Sequence, residues 1–220
     1  MFGIFRTLLA INVVFYHLFD FALIGPLAVY SFFILSGYLM TTIMQKSYGY
    51  SSAGVGKYFL NRFLRLYPVY WVLIILTLCL HLLIGESFVS EFHQAMRLPE
   101  STNEVLANML MIFPGGAQYV PRLLPATWAL TIEIFFYILI GLGISKTPKA
   151  TLVWLVSSLA YVAYINLVKK ELGFQYGDIY SASLPFAIGA SLYHFSRVLE
   201  PITRSKEMHF VVLGLFPIHD

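Results

Sequence analysis

Arg6 and His17 stand eleven residues apart in an otherwise apolar opening segment, FRTLLAINVVFYH. At about 100° per residue this is about three helical turns, so the two side chains share a helix face about 16 Å apart along its axis. In a spanning helix the guanidinium then lies near one surface and the imidazole about halfway across, a depth at which ionisable groups usually line a pathway or a site. An imidazole there can take up or pass on protons near neutral pH. The plainer reading is a topogenic arginine and a packed histidine bonded to a neighbour. Asp20, three residues on, lies on the same side. It either orients His17 and favours its charged form, or is a residue of the outer surface.

Three further groups of polar residues interrupt apolar runs. In TWALTIEIFFY, Glu133 lies about 9 Å below the start of its helix, and Tyr137 shares its face one turn on. A lone carboxylate at that depth needs a partner, a proton or water; a role in a site and a structural bond to an Arg, His or Tyr are both open. In SFFILSGYLM, Ser36 and Gly37 fall near mid-membrane. They either permit close helix approach or leave room for a ligand. In GKYFLNRFLRLYP, Arg62 and Arg65 are three residues apart and share a helix face. Two guanidiniums so placed suit a phosphate-rich ligand, because each can bond two oxygens. They equally suit a cytoplasmic surface, with their stems lying along lipid headgroups. Taken together, Arg6, Arg62 and Arg65 form a basic face, and His17, Ser36, Gly37 and Glu133 form a mid-membrane group. That combination would grip an anionic carrier and do acid–base chemistry within the bilayer.

The elements that must hold these residues are membrane helices. Of the 220 residues 59% are hydrophobic and 11% charged, against about 25% charged in soluble domains. The 17% aromatic content suits interfacial belts. The net charge of +3 is explained by loop charges rather than nucleic-acid binding. Cys79, the single cysteine, excludes an intrachain disulfide and reads as a packing residue in an apolar run. The histidines have no metal-ligand spacing. Arg6, Asn12, His17 and Asp20 interrupt the first run, and no A-x-A site follows it, so it is not read as a signal peptide.

Apolar runs at 4–23, 27–45, 68–84, 127–144, 150–168 and 184–198 predict spans. A seventh run begins at His209 and stops with the chain, which reads as a truncation or a partial helix. The expected fold class is all-α: a polytopic transmembrane helix bundle of about six to seven spans, one domain over 1–220, with a short cytoplasmic amphipathic helix ending at Pro68. Loops 46–67, 145–149 and 199–208 are basic and fall on one side, the cytoplasm, together with the N-terminus. The 85–126 and 169–183 connections lie outside. The first of these contains a short surface or dipping helix over Val105–Phe113.

Four motifs in order resemble acyltransferase family 3, the integral-membrane O-acyltransferases of surface polysaccharides. The first is Arg6 followed by His17, with Ala10 between. The second runs through Phe32, Phe33, Ser36, Gly37, Tyr38 and Leu39. The third joins Phe59, Arg62, Arg65 and Pro68. The fourth joins Trp128, Leu130, Glu133, Phe136 and Tyr137. The resemblance covers residues 3–145 well and the remainder in hydropathy. Members are usually longer, which implies that C-terminal spans are lacking.

The resemblance implies transfer of an acyl group, most often acetyl, from acyl-CoA (acetyl-CoA) to a sugar hydroxyl of a polysaccharide or glycolipid, in a bacterial inner (plasma) membrane. It implies His17 and Glu133 as the catalytic groups. Arg6, Arg62, Arg65, Ser36 and Gly37 would bind the donor, and Asp20, Trp128 and Tyr137 the acceptor. No metal is expected, and the partners are membrane lipid, acyl-CoA and carbohydrate rather than nucleic acid. Two other readings stay open. One is a transporter or flippase of an anionic or sugar substrate, with Arg6, His17 and Glu133 as its path; the absence of an internal repeat counts against it. The other is a truncated, inactive acyltransferase homologue that still binds donor.

Overall fold

The structure is a computed structural model that describes residues 7–9, 11–13, 24–113, 121–169 and 178–203. Those residues are mostly helical, with no strand among them. The first segment contributes short helical pieces at 7–9 and 11–13. Helix α1 is Ile24–Ile43, prolonged by a π-turn over Met44–Tyr48. Helix α2 is Ser52–Ile84, and short helices α3 (Glu86–Phe92) and α4 (Thr102–Leu110) follow it. Then come α5 (Thr127–Leu142), α6 (Pro148–Tyr164) and α7 (Ile179–Thr203).

Local chemistry sets the ends of these helices. Ser51 caps α2 through the Gly54 amide, and Thr147 caps α6 with Pro148 in the first turn, where a missing N–H removes no intrahelical bond. Gly143, at φ 105°, ends α5 in the left-handed region that a side chain would resist.

Among the described residues three stretches are long and apolar enough to cross a membrane: Leu27–Tyr48, Ser52–Ile84 and Pro148–Leu167. Thr127–Leu142 is a shorter apolar helix. The expected run 184–198 lies within the longer α7, and Arg6, His17, Asp20 and the run from His209 lie outside the described residues.

Two expectations are corrected. The amphipathic helix does not end at Pro68: residues 52–84 are one helix running through the proline. Pro68 withdraws a single backbone donor, and it does so on an exposed side of the helix. Contacts on both sides of it hold the axis continuous. Cys79 is exposed on the outer face of α2 rather than packed.

The bundle core is an aromatic ladder across four helices. Phe33 of α1 stacks on Phe186 of α7 at 5.1 Å. Phe186 stacks on Phe136 of α5 at 4.5 Å, and Phe136 on Trp154 of α6 at 6.0 Å. Helices α1 and α7 touch backbone to backbone. A Cβ on Gly37 would run into the Phe186 carbonyl, and one on Gly189 would run into the Ile34 carbonyl and come within 2.7 Å of the Tyr38 nitrogen. This is the small-residue contact that membrane helices use in place of a hydrophobic driving force.

The 85–113 connection folds back along α2. Ser101 and Glu104 form a capping box that starts α4. At the other end, the last carbonyls of a helix lack intrahelical donors. Here Tyr67 and Trp71 of α2 donate to Leu110 (2.8 Å) and Met109 (3.1 Å), Tyr70 donates to Asn108, and Thr131 of α5 donates to Met111 (2.9 Å). The Asn108 side chain donates to the Pro121 carbonyl at 2.8 Å and accepts from the Leu123 amide at 3.0 Å, which fixes the chain as it enters α5. The short helix expected near Val105 is therefore present, seated against α2 by aromatic donors.

Candidate functional site

Residues 97 positions apart meet in the core of the bundle. The Ser36 hydroxyl of α1 donates to Glu133 Oε1 of α5 at 2.7 Å, and the Tyr137 hydroxyl, one turn along α5, donates to the same oxygen. Ser36 is 0% exposed and Glu133 2%. A carboxylate removed from water needs hydrogen-bond donors in its place, and two hydroxyls from two helices supply them. They also fix the position of the carboxylate.

One side of Glu133 opens on a cavity of about 270 Å³. Ala28, Phe32 and Phe33 of α1 and Ala129 and Leu130 of α5 form much of its wall, and Glu133 is the ionisable group among the described residues that line it. Leu9 and Val13 of the first segment complete it. The site thus pairs a fixed acceptor with an apolar space.

Arg62 lies in the opposite direction along α1. Its Nη1 approaches Met40 Sδ at 3.5 Å, and its guanidinium sits 5.9 Å over the Tyr58 ring, in range for a cation–π contact. Met40 is one helical turn from Ser36, about 6 Å along the axis. Tyr58 in turn donates to the Tyr137 carbonyl at 3.3 Å. The Arg62 Nε is buried without a hydrogen-bond partner. Arg62 belongs to an i+4 stripe of Gly54, Tyr58, Arg62, Leu66 and Tyr70 that α2 turns inward, whereas Arg65 falls beside the stripe and is exposed. The two arginines read from the sequence as one pair are therefore divided, one inside the bundle and one on its surface.

The remaining candidates are placed as follows. Ser36, Glu133 and Tyr137 are brought together, with Arg62 about one turn away. Gly37 is used in the α1–α7 contact. Trp128 is half-buried in the first turn of α5, packed on the aromatic core. Arg6, His17 and Asp20 lie outside the described residues. Among the described residues no three His, Cys, Asp or Glu side chains are grouped so as to hold a metal ion.

Sequence reasoning missed Tyr58 and Met40, the ring and the sulfur that hold Arg62. The i+4 spacing of Gly54, Tyr58 and Arg62 was the signal available. It also missed the Met44–Tyr48 end of the bundle. There Thr41 donates to the Ser145 hydroxyl at 3.0 Å, and Gln45 to the Ser145 and Lys146 carbonyls at 3.2 and 2.7 Å. Beside them Lys146 lies 5.5 Å over the Tyr50 ring, and burial pushes the Tyr50 phenol above its ordinary pKa. Arg122, buried in the segment entering α5, is drawn below its ordinary pKa by desolvation.

No curated protein and no solved structure matches the chain. Residues 2–206 match the family described as an acyltransferase domain, so this membrane protein, with three helices fit to cross a bilayer among its described residues, is a transferase that belongs to acyltransferase family 3.

Proposed function

We propose that the chain transfers an acyl group from acyl-CoA to a sugar hydroxyl of a surface polysaccharide or glycolipid. The observation that carries this reading is the buried Ser36–Glu133–Tyr137 cluster, with Arg62 turned toward it from one side and an apolar cavity on the other. The donor enters from the cytoplasm. Exposed Lys46, Lys57, Arg65 and Lys146 at that end attract the CoA phosphates, and Arg62 guides the thioester arm toward Glu133. Arg6 contributes to the same basic face.

His17 takes the proton of the acceptor hydroxyl. The hydroxyl oxygen attacks the thioester carbonyl carbon, the C–S bond breaks, and the CoA thiol leaves with a proton. Leu9 and Val13 line the cavity, and by spacing alone residues 6, 9, 13 and 17 fall on one helix face. That register supports Arg6 and His17 addressing the space beside Glu133. Glu133, held by Ser36 and Tyr137, positions the reacting groups, and Asp20 and Trp128 meet the acceptor. The chain sits in a bacterial inner membrane, N-terminus in the cytoplasm, with six to seven spans.

The test is transfer of radiolabel from acyl-CoA into polysaccharide or glycolipid by membranes carrying the wild type and His17→Ala. Label that disappears in the variant is expected. Equal labelling by the two, or no labelling together with no binding of acyl-CoA by the wild type, overturns the reading.

A further inference from the structure

The cavity beside Glu133 is larger than an acetyl group needs, and its chemistry is wrong for a sugar. An apolar cavity of about 150 Å³ already admits benzene, six carbons. The present one, partly open to the surface, measures about 270 Å³. Three alanines, Ala28, Ala126 and Ala129, leave the room, and Phe32, Phe33 and Leu130 supply apolar wall. Among the described lining residues only Glu133 is ionisable, so between these walls a polyhydroxylated acceptor would give up hydrogen bonds to water. A hydrocarbon chain would lose nothing.

The cavity is also on the correct side. Arg62 and Met40 stand about one turn of α1 from Ser36 in one direction, while Phe32, Val29 and Ala28 follow one to two turns away in the other. A thioester whose carbonyl reached Glu133 from the Arg62 side would direct whatever lies beyond that carbonyl into the cavity.

We propose that the acyl group this chain transfers is a medium-length hydrocarbon chain of about six to ten carbons, scaled from the volume that admits benzene, rather than acetyl. The proposal rests on the acyltransferase reading above. The chemistry is unchanged: the thioester C–S bond breaks, the ester C–O bond forms, and the CoA thiol carries away the hydroxyl's proton. Only the chain behind the carbonyl differs.

The experiment compares acetyl-, butyryl-, hexanoyl-, octanoyl- and palmitoyl-CoA as donors for the full chain in membranes, with transfer followed by the thiol released and by the mass of the product. Two variants accompany the wild type, Ala129→Leu and Ala129→Phe, which grade the loss of space. Each methylene taken from water into the cavity raises kcat/KM roughly fourfold, so the wild type is expected to climb from acetyl to hexanoyl or octanoyl and fall at palmitoyl. Ala129→Leu shortens the optimum and Ala129→Phe shortens it further, read in each protein as the ratio of longer-chain to acetyl transfer. Transfer of acetyl with little or no use of hexanoyl or octanoyl overturns this proposal and leaves the acyltransferase reading standing. An optimum at six to eight carbons that neither variant moves overturns the assignment of the chain to this cavity. Transfer from none of the five donors overturns both.

Discussion

Replacing Tyr137 by Phe removes one oxygen atom and leaves the ring that packs in the core. Tyr137 is 4% exposed, and its hydroxyl shares Glu133 Oε1 with Ser36, itself fully buried. Loss of a hydrogen bond to a charged group costs about 1.5–3 kcal/mol. At about 2–4 °C per kcal/mol for a chain of this size, the melting temperature should fall by about 3–12 °C. Ser36→Ala should act alike. In either single variant the carboxylate keeps one hydroxyl on Oε1; in the double variant it keeps neither, so the double loss should exceed the sum of the singles by about 0.5–3 kcal/mol. In a Glu133→Gln background the same Tyr137→Phe change should shrink toward the about 1 kcal/mol of a neutral bond. The assay is thermal unfolding of the detergent-solubilised protein, followed by tryptophan fluorescence and run as a full cycle. A Tyr137→Phe change of less than about 0.5 kcal/mol, the ordinary scatter of surface substitutions, with additive singles would refute the shared-oxygen arrangement.

Four further outcomes follow from the geometry. Gly189→Ala places a Cβ against the backbone of Ile34 and Tyr38, which cannot rotate away, and should destabilise by about 1–3 kcal/mol in the same thermal assay. Arg62→Lys should fail to restore what Arg62→Ala loses in both stability and acyl-CoA affinity, because a lysine does not reproduce the planar contact over Tyr58. Arg65→Ala, on the surface, should leave the melting temperature within about 0.5 kcal/mol of wild type while weakening acyl-CoA binding most at low salt, as titration at two ionic strengths would read out. Asn108→Ala strips the Pro121 carbonyl and the Leu123 amide of their partner, which should cost about 1–3 kcal/mol and speed proteolysis within residues 85–126.

The common level of the core's polar side chains along their helices was legible in the sequence because helix rise is fixed. Ser36, Glu133 and Tyr137 each interrupt an apolar run at an inner position, and the structure joins them. The short helix expected over Val105–Phe113 begins earlier, at Thr102, because the Ser101–Glu104 capping box, a local signal not used in the sequence reading, sets its start. What was not readable depended on partners distant in the chain. Pro68 reads locally as a helix boundary. It is overridden because Tyr67, Tyr70 and Trp71 beside it are engaged by carbonyls some forty residues later. Arg62 and Arg65 read as a pair because three residues share a helix side. Which of two arginines about 60° apart turns inward is decided by Tyr58 and Met40. Gly37 reads as a helix contact or as ligand space, and Phe186, 149 residues on, makes it a contact.

The central claim is that the fixed carboxylate in the bundle core serves acyl transfer. The most direct measurement is the rate of acyl transfer by Glu133→Gln beside wild type, with acyl-CoA affinity measured on the same preparations. Gln keeps the size of the side chain and removes its charge. The account predicts a fall in rate of about 10²-fold, the cost of misplaced reacting groups, with acyl-CoA still bound. A Glu133→Gln protein that transfers at the wild-type rate would contradict it.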